Sequence, residues 1–393
     1  MDEKILELFF DQIKNDSVNN YNSNLSVDLM YVAKKELKNL KIPYSLNKIN
    51  NKTLTLYPSS NKPHKYVKGF YPNNTRLGKN ICQDKYLTQK FLDYSNVKTP
   101  KSKKFTQDQY SEAIKFIEEN ESNNFVLKPT SLSMSLGTYL NVSKLNFDNA
   151  WHGSFEVQNK YKVTTPAVLI QEQIQGLEIR IVVTDGKIGS AIFRGPGHIK
   201  GDGQHSIKEL IDLKNKERDK HNYLKLNKLI INDNLLNSLR NNNLTLETIL
   251  PKDEYYILYT HSSINIGREV FEISQHLHPN IFKQALEAVT SIPGAHTAGV
   301  DIFISDLNAV EGTVIEVNLN PALQLHYFPM TGEKTQPLND IFKSYNVERN
   351  LLNDELSYDN LTKEEFDIIK SRFKYLYNKE KSLSSSYKYF LDM

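Results

Sequence analysis

Two short runs decide the fold: GVDI at 299–302 and EVNLNP at 316–321. Each alternates apolar and polar residues, which is the period of a β-strand, and we predict strands over 299–305 and 313–320. Because side chains alternate along a strand, we expect the polar side chains at 316, 318 and 320 on one face and the apolar ones at 315, 317 and 319 on the other.

The polar face of these strands is rich in oxygen atoms. Asp301 and Glu316 supply carboxylates and Asn318 supplies an amide. Oxygen ligands of this kind suit Mg²⁺, a hard cation that also contacts phosphate oxygens. An ordinary half-buried strand whose polar side meets water shows the same alternation. The pattern alone therefore leaves a metal site and a plain amphipathic strand both open.

Two lysines form a second feature. Lys85 lies at the start of a helix predicted over 84–94, and Lys128 ends a short strand that begins at 125, just before the loop 131–137. An ammonium group on a rigid element beside exposed backbone N–H groups can hold a polyphosphate. Taken singly, each lysine is better explained as a surface residue. The loop also contains a single glycine, which weakens a phosphate loop built on glycine.

A third feature is the run GLEIR at 176–180, which follows a strand predicted over 167–170. In an extended chain Glu178 and Arg180 point to the same side, where they can bind a ribose hydroxyl and an anion respectively. A surface ion pair between strands, which is worth little energetically, explains the same two residues. Both interpretations stay open on these residues alone.

Turn and capping residues predict the rest of the organisation. Asp185-Gly186, a pair favoured in type I′ turns, predicts a hairpin over 179–193. Capping boxes at 106–109 and 362–365 predict the starts of two helices, the first running to about residue 120. The last segment, 382–393, shows no clear order. Further predicted elements are an amphipathic helix over 5–13, a strand over 53–57, a mainly helical stretch over 206–250 and a helix over 280–291.

Composition excludes several classes of function. The 393 residues carry 49 Lys and Arg against 46 Asp and Glu, a net charge of +3, which creates no strong field for nucleic acid. No stretch reaches the roughly 18–20 apolar residues of a membrane span. The single Cys82 cannot form an internal disulfide, and the N-terminus is charged, unlike an export signal. We therefore expect a cytoplasmic protein without nucleic-acid or membrane partners, and a homo-oligomer stays open.

Taken in order, these features resemble the ATP-grasp superfamily of carboxylate–amine ligases, and within it the ATP-grasp part of cyanophycin synthetase and of the bifunctional glutathione synthetases. The resemblance covers residues 80–335, and its most specific part is GDG at 201–203 followed by IKELI at 207–211. The motifs that carry it are Asp84-Lys85, Leu127-Lys128-Pro129, Gly176-x-Glu178-x-Arg180, GDGQHSIKELI at 201–211, His278-Pro279, GVDI at 299–302, EVNLNP at 316–321, and His326 with Pro329 and Gly332.

The resemblance implies an α/β (α+β) architecture with the ATP-grasp fold. In that fold an N-terminal lobe, a central lid lobe and a C-terminal catalytic lobe surround the nucleotide. The implied ranges are 1–95 for the N-terminal lobe, 96–175 for the lid lobe, 176–335 for the C-terminal lobe with a helical insertion, and 336–393 for a helical tail.

The resemblance also implies roles for individual residues. The residues implied to bind ATP are Lys85, Lys128, Ser133 and Gly137 at the phosphates, Gln171, Glu172 and Ile174 at the adenine, and Glu178 at the ribose. The residues implied to ligate Mg²⁺, or Mn²⁺ in its place, are Asp301, Glu316 and Asn318. The residues implied to hold the carboxylate substrate or its acyl phosphate are Arg180, Arg194, Arg268 and Asn320.

The implied activity is ATP-dependent formation of an amide between an amino-acid or peptide carboxylate and an amine, through an acyl phosphate. The chain departs from the family at three places. Gln171 stands where relatives have Glu, the loop 131–137 is rich in serine where relatives have glycine, and Gly267-Arg268 replaces a Gly-Gly pair. The added arginine points to a different or a more acidic substrate.

Two other classes of function remain open on the sequence. One is an ATP-binding scaffold or regulatory protein without catalysis, which the change at Gln171 favours. The other is a protein that binds nucleic acid or another partner through Tyr387-Lys388-Tyr389 in the tail. The small net charge argues against nucleic acid, and the full set of oxygen ligands favours the enzyme.

Overall fold

The computed structural model describes residues 3–16, 18–19, 28–47, 53–57, 64–67, 71–120, 124–133, 135–259, 266–352 and 356–391. Helices and sheets are interleaved along the chain, which confirms the predicted α/β class. Within these ranges, no helix combines the length and the apolar character that crossing a membrane requires.

The N-terminal part combines helices with one antiparallel sheet. Its elements are α1 (Glu3–Gln12), α2 (Leu29–Asn39), β1 (Tyr44–Leu46), β2 (Thr53–Leu56), β3 (His64–Val67), α3 (Arg76–Gln83) and α4 (Lys85–Tyr94). The strands β1, β2 and β3 form the N-terminal sheet. Asp84 caps α4 by accepting hydrogen bonds from the N–H groups of Tyr86 (2.9 Å) and Leu87 (3.1 Å). This cap fixes the helix start, and so the position of Lys85.

A second antiparallel sheet, the middle sheet, has the strand order β4-β7-β5-β6. Its elements are β4 (Ser102–Thr106), α5 (Tyr110–Glu118), β5 (Phe125–Pro129), β6 (Tyr139–Val142), α6 (Phe147–Lys160) and β7 (Ala167–Glu172). The helix start predicted at Thr106 is wrong. Thr106 pairs with Ala167 in the sheet, and α5 begins at Tyr110. The Gln109 Oε1 atom still accepts hydrogen bonds from the N–H and the hydroxyl of Thr106. Thr106 is nevertheless the last residue of β4, so it does not begin a helix.

The large sheet has the strand order β12-β9-β8-β13-β14. The elements of this part are β8 (Leu177–Thr184), β9 (Lys187–Gly195), β10 (His198–Lys200), α7 (Ile207–Asp219), α8 (Asp233–Asn241), β11 (Tyr255–Ile257), β12 (Glu269–Glu272), α9 (Pro279–Thr290), β13 (Thr297–Ile304) and β14 (Thr313–Asn318). The predicted hairpin is confirmed, because Asp185 (φ 44°) and Gly186 (φ 87°) turn β8 into β9. The segment from β10 to β11, with α7 and α8, is the helical insertion.

The tail consists of α10 (Pro337–Leu352) and α11 (Lys363–Leu391). The capping box before α11 is confirmed, since Thr362 N–H donates to Glu365 Oε2 (2.9 Å) and Glu365 N–H to Thr362 Oγ1 (3.3 Å). The expectation of no order in 382–393 is wrong as far as Leu391, and the last two residues lie outside the described part. The buried Lys379 ammonium donates to carbonyls at the carboxyl end of α9. These hydrogen bonds hold α11 against α9.

Candidate active site

The polar face of the large sheet gathers charged side chains into one row. Arg180 on β8 lies opposite Asp301 on β13, and Asp301 lies opposite Glu316 on β14. Residues paired across strands point to the same face, and neighbouring strands are about 4.8 Å apart. The structure therefore brings these three predicted site residues together.

Arg180 and Asp301 form a bidentate ion pair. The guanidinium donates from Nε to Oδ1 and from Nη2 to Oδ2, both at 2.6 Å, and the residues are only 8% and 4% exposed. Burial lowers the pKa of Arg180, but the Asp301 carboxylate more than offsets this, so the pKa rises above its usual value. A carboxylate oxygen has a second lone pair, so Asp301 keeps acceptor capacity beyond this pair.

The strand β14 carries a bulge beside the row. Pairing with β13 slips by one residue between Val314 and Glu316, which leaves Ile315 as the extra residue. Val314 and Val317 both reach the core, at 1% and 0% exposure, while Ile315 is half-buried. The expectation that residue 315 fills the apolar face is therefore wrong, because simple alternation does not reveal an inserted residue. Asn318 stays on the polar face, opposite Gly299.

Gly299 allows close packing beneath the row. A Cβ atom at this position would lie 2.8 Å from the Cβ of Pro321 and 3.3 Å from the Cδ of Arg180. The first distance is shorter than atoms tolerate, so the glycine of GVDI and the proline of EVNLNP fit each other. This close contact explains why the two motifs occur together.

A second ion pair lies further along the same face. Arg194 Nη2 lies 2.5 Å from Glu178 Oε1, with both side chains partly exposed. Burial lowers the pKa of Arg268, and the nearby positive charge of Arg194 lowers it further, while Glu178 opposes the shift. The three predicted arginines, at 180, 194 and 268, thus lie near one another and near Glu178.

Lys128 reaches toward this face from the middle sheet. Its ammonium donates to Gln171 Oε1 at 2.7 Å, and the residue is 8% exposed. Burial lowers the pKa of Lys128 to about 8, and the carboxylate of Glu316 only partly opposes this. A glutamate at 171 would pair with the lysine, whereas the amide of Gln171 leaves the positive charge uncompensated.

Gln89 contacts the predicted site residue Gln171, and the sequence analysis did not single it out. Its Oε1 accepts a hydrogen bond from Gln171 Nε2 (3.3 Å) and another from Ser102 Oγ (2.6 Å). Gln89 lies four residues after Lys85 and so on the same face of α4. The i+4 spacing from the predicted site residue Lys85 was the signal available in the sequence.

Lys85 lies beside the loop 131–137. Its backbone N–H donates to the Thr130 carbonyl (2.9 Å) and its ammonium to the Leu132 carbonyl. Burial lowers the pKa of Lys85, and Glu316 opposes the shift. In the described part of the chain, no carboxylate lies within ion-pair distance of either lysine, 85 or 128. In the loop Ser133 is exposed and Gly137 is half-buried, with φ 68°.

The linker between the middle and large sheets depends on Gly176. Its φ is 140°, and a Cβ there would lie 2.2 Å from the Ile304 carbonyl oxygen, so only glycine fits. Gln171 and Glu172 end β7 just before the linker, and Ile174 lies within it, half-buried. The structure therefore places the three predicted adenine contacts at the junction of the two sheets.

The remaining predicted residues lie at the end of β14. Asn320 is exposed, and its N–H donates to Asn318 Oδ1 at 2.8 Å. In the described residues no group of three or more His, Cys, Asp and Glu side chains is placed to hold a metal. The row offers oxygen atoms from Asp301, Glu316 and Asn318. This donor set fits a hard divalent cation whose shell is completed by phosphate oxygens.

A buried ion cluster on β12 was not predicted. We call it the Glu269 cluster: the Glu269 carboxylate lies 2.7 Å from Arg218 Nη1, 3.0 Å from Lys214 Nζ and 3.3 Å from His198 Nε2. Arg218 is fully buried, and its Nη2 also donates to the Arg268 carbonyl (3.2 Å). The cluster therefore ties the helical insertion to the strand that follows Arg268.

Comparison with known proteins identifies the class of fold. The structure matches the bifunctional glutathione synthetase from Pasteurella multocida with a TM-score of 0.61 and 23% sequence identity, over 83% of this chain and 43% of that chain. The fold is thus that of the ATP-grasp carboxylate–amine ligases, as predicted. No family model matches the sequence.

Comparison of sequences shows which named proteins this chain is similar to. The chain is 27% identical over 281 residues to the glutathione biosynthesis bifunctional protein GshAB of Enterococcus faecalis, covering 67% of this chain and 35% of the relative. It is 27% identical over 267 residues to the cyanophycin synthetase of Synechocystis sp., covering 65% and 29%. The predicted resemblance to these ATP-grasp ligases is confirmed. The matched part spans only about a third of the relatives' length.

Proposed function

We propose that this chain uses ATP to join the carboxylate of an amino acid or peptide to an amine, forming an amide. One observation carries the proposal. Lys128 on the middle sheet faces the acidic row of the large sheet, yet it has no carboxylate partner of its own in the described residues. Buried cations without a counter-charge, opposite oxygen ligands for a metal, suit the binding of a metal-bound polyphosphate.

In this proposal, residues of both the middle sheet and the large sheet bind the nucleotide. Lys85 and Lys128 hold the phosphates beside the loop 131–137, and Glu178 holds the ribose. Gln171, Glu172 and Ile174 at the linker contact the adenine. Asp301, Glu316 and Asn318 ligate Mg²⁺, with Mn²⁺ as a substitute. The cation supplies charge neutralisation on the phosphates of ATP.

Catalysis in this proposal is positioning and charge stabilisation. A carboxylate oxygen of the substrate attacks the γ-phosphorus and ADP leaves; the amine then attacks the acyl phosphate and phosphate leaves. Arg180, Arg194, Arg268 and Asn320 hold the substrate carboxylate and the developing negative charge. The middle sheet, within the proposed lid lobe 96–175, closes over the site and excludes water that would hydrolyse the acyl phosphate.

The scaffold alternative receives less support. The named relatives are a biosynthetic protein and a synthetase, and every proposed metal position retains an oxygen ligand. The change at Gln171 leaves a Lys128 amide contact in place of an ion pair, which favours an incoming anion. We therefore place the chain among small-molecule ligases that act in the cytoplasm on amino acids or peptides.

The test is ADP and phosphate release from Mg²⁺-ATP against pooled amino acids, dipeptides and other small carboxylates, with mass spectrometry of each active pool. We expect an amide product in proportion to ADP. Glu316→Gln should abolish turnover in a folded protein. The matched control is Glu311→Gln, because Glu311 is exposed and pairs only with Lys98 at 2.6 Å. Tight ATP binding with no product from any pool would refute catalysis and favour the scaffold.

A further inference from the structure

The last helix of the chain, α11, exposes four aromatic rings along one side. They belong to Phe366, Phe373, Tyr377 and Tyr387, which are between 49% and 70% exposed. We call these four rings the aromatic stripe. A single apolar residue on a protein surface is ordinary, whereas a row of large ones marks an interaction surface.

The aromatic stripe lies on a different side of α11 from the residues that attach this helix to the core. Ile369, Tyr375 and Lys379 are buried. The Tyr375 hydroxyl and the Lys379 ammonium both donate to the Ala295 carbonyl, at 2.6 and 2.9 Å. At 3.6 residues per turn, the aromatic stripe lies roughly 120° around the helix from these buried residues. A partner can therefore contact the aromatic stripe without displacing the contacts that hold α11.

The spacing of the aromatic stripe is that of a seam between two helices. Steps of four and three residues alternate along it, which is the 3.5-residue period of paired helices. The full series, which we call the seam, is Phe366, Lys370, Phe373, Tyr377, Glu380, Ser384 and Tyr387. The partner that this spacing fits is a second helix.

The seam is complementary to itself when a second copy runs in the opposite direction. With Phe373 opposite Tyr377 of the second copy, Lys370 lies opposite its Glu380, and the same pair forms again on the other side of the two-fold axis. Lys370 and Glu380 are both exposed, and neither forms an ion pair with another described residue. Parallel helices would instead place each of these charges against its own copy, which is repulsive. Antiparallel helices also bring opposite ends of their dipoles together.

Charges beside the seam have mixed effects. In the antiparallel arrangement Asp367 lies on the same flank as Lys381 of the second copy, which is attractive. Lys374 lies close to its own copy at the two-fold axis, which is repulsive. All three side chains are exposed, so solvent and salt keep both contributions small. The seam itself therefore determines the direction of pairing.

The exposed rings provide much of the area that a specific contact needs. A fully covered Phe or Tyr side chain buries about 150–250 Å², so the exposed parts of the four rings amount to about 400 Å² on one copy. Two copies would cover about 800 Å² with rings alone. The polar members of the seam add to this area, and specific interfaces begin at about 1,200 Å².

We propose that this protein forms a two-fold symmetric dimer in which α11 of one copy packs antiparallel against α11 of the other. Every contact of such an interface occurs twice. The inference goes beyond the proposed function and does not depend on it, because the candidate active site contains no residue of α11.

Sedimentation velocity of the full chain tests the dimer directly. We expect the mass to rise from the 45.4 kDa of one chain to twice that value as the concentration increases from about 1 to 100 µM, a micromolar association. Phe373→Asp places a carboxylate in the seam twice per dimer and should weaken association about 100-fold. The matched control is Leu145→Asp, because Leu145 is 98% exposed and lies outside α11.

Two charge reversals test the direction of the helices. Lys370→Glu makes both charged seam positions negative, and Glu380→Lys makes both positive. Each variant alone should dimerise about tenfold more weakly, because like charges then meet at two places in the dimer. An equimolar mixture of the two variants should dimerise as the wild type does. Lys35→Glu, at an exposed position on α2, is the control.

The outcomes that overturn the dimer are distinct. A wild-type chain that stays monomeric at 100 µM overturns it, and sedimentation of that monomer with phosphatidylcholine and phosphatidylglycerol vesicles would assign the aromatic stripe to a membrane surface. A dimer that persists in Phe373→Asp also overturns it, because the interface then lies elsewhere. Charge variants that do not recover dimerisation when mixed overturn the antiparallel seam. Circular dichroism checks folding, and if Phe373→Asp unfolds, the charge variants decide.

Discussion

Two groups of buried charges on neighbouring parts of the molecule differ in how they are compensated. In the Glu269 cluster the Arg218 guanidinium meets a carboxylate at 2.7 Å and the carbonyl of Asn227 at 2.6 Å. At the candidate active site the Lys128 ammonium donates to the neutral amide of Gln171, and the Lys85 ammonium donates to the Leu132 carbonyl. The cations of the first group share the Glu269 carboxylate, whereas among the described residues those of the second have no carboxylate within ion-pair distance.

The pKa shifts follow this difference for the carboxylate of the Glu269 cluster, although burial still lowers the pKa of its Lys214. Burial raises the pKa of Glu269, but Lys214, His198 and Arg218 more than offset it, so the pKa falls and the charged form is favoured. Burial of Lys128 is not offset, and its pKa falls to about 8. Burying a charge is costly in both places. A buried cation that has no carboxylate partner is therefore a candidate site for an anionic ligand.

The largest expected effect is on stability, from Glu269→Gln. Removing the carboxylate leaves Arg218 and Lys214 buried without a counter-charge, and such a change costs about 3–5 kcal/mol of unfolding free energy. Urea denaturation measures it. The control is Asp212→Asn on α7, an exposed residue that pairs with Lys208 at 3.3 Å, which should change stability by less than about 1 kcal/mol. Equal stability of the two variants would show that the cluster is not a structural ion group.

Lys128→Met should lower turnover and raise stability, whereas Glu269→Gln should lower stability. Loss of a phosphate-binding cation reduces turnover by about 10²–10³-fold. Because the buried ammonium has a lowered pKa, removing it should raise the unfolding free energy of the free protein by about 1–3 kcal/mol, at 1.36 kcal/mol per pKa unit. Lys103→Met, at an exposed position on β4, is the control for both measurements. A variant that loses stability together with activity would place Lys128 with the structural charges.

Local patterns predicted much of the fold around these groups. Asp185-Gly186 predicted the hairpin, and the alternation in GVDI and EVNLNP predicted two strands that the structure pairs, with Asp301 opposite Glu316. The resemblance named Lys85 and Lys128, and the structure places both near that row. Their roles at the nucleotide stay predictions. Features encoded within about ten residues, namely the turn, the strand alternation and the capping box at 362–365, could be predicted, whereas the helix start predicted at Thr106 was wrong.

Pairings between distant residues could not be predicted. Arg180 and Asp301 are 121 positions apart, and Arg218 and Glu269 are 51 apart. Contact between them depends on strand register and on where α7 packs, which no local pattern contains. The same limit explains why Ile315 was wrongly expected on the apolar face, because a bulge can be recognised only from the pairing with the neighbouring strand. The sequence analysis assigned Asp301 to a metal without seeing that Arg180 already holds it.

Gly299→Ala should displace Arg180, one of the charged side chains on the polar face of the large sheet. The added Cβ would lie 2.8 Å from the Pro321 Cβ and 3.3 Å from the Arg180 Cδ, and overpacking of this kind costs about 1–3 kcal/mol of stability. Displacement of Arg180 should also raise KM for the carboxylate substrate more than KM for ATP. Gly189→Ala on β9 is the matched control, since its nearest neighbour would be 3.6 Å away. Similar behaviour of both variants would mean that the close contact has no effect on Arg180.

The smallest effect is a pH dependence that separates the two charge groups. Lys128 has its pKa lowered to about 8, so the free protein loses this positive charge as the pH rises through 8. Bound phosphates favour the charged form, so affinity for Mg²⁺-ADP should be constant below pH 7 and fall about tenfold between pH 7 and pH 9. Lys128→Arg, which keeps its charge throughout this range, should bind with little change. Calorimetric titrations across the range decide the question, because an equal fall in both proteins would assign the dependence to another group and remove Lys128 from the phosphate site.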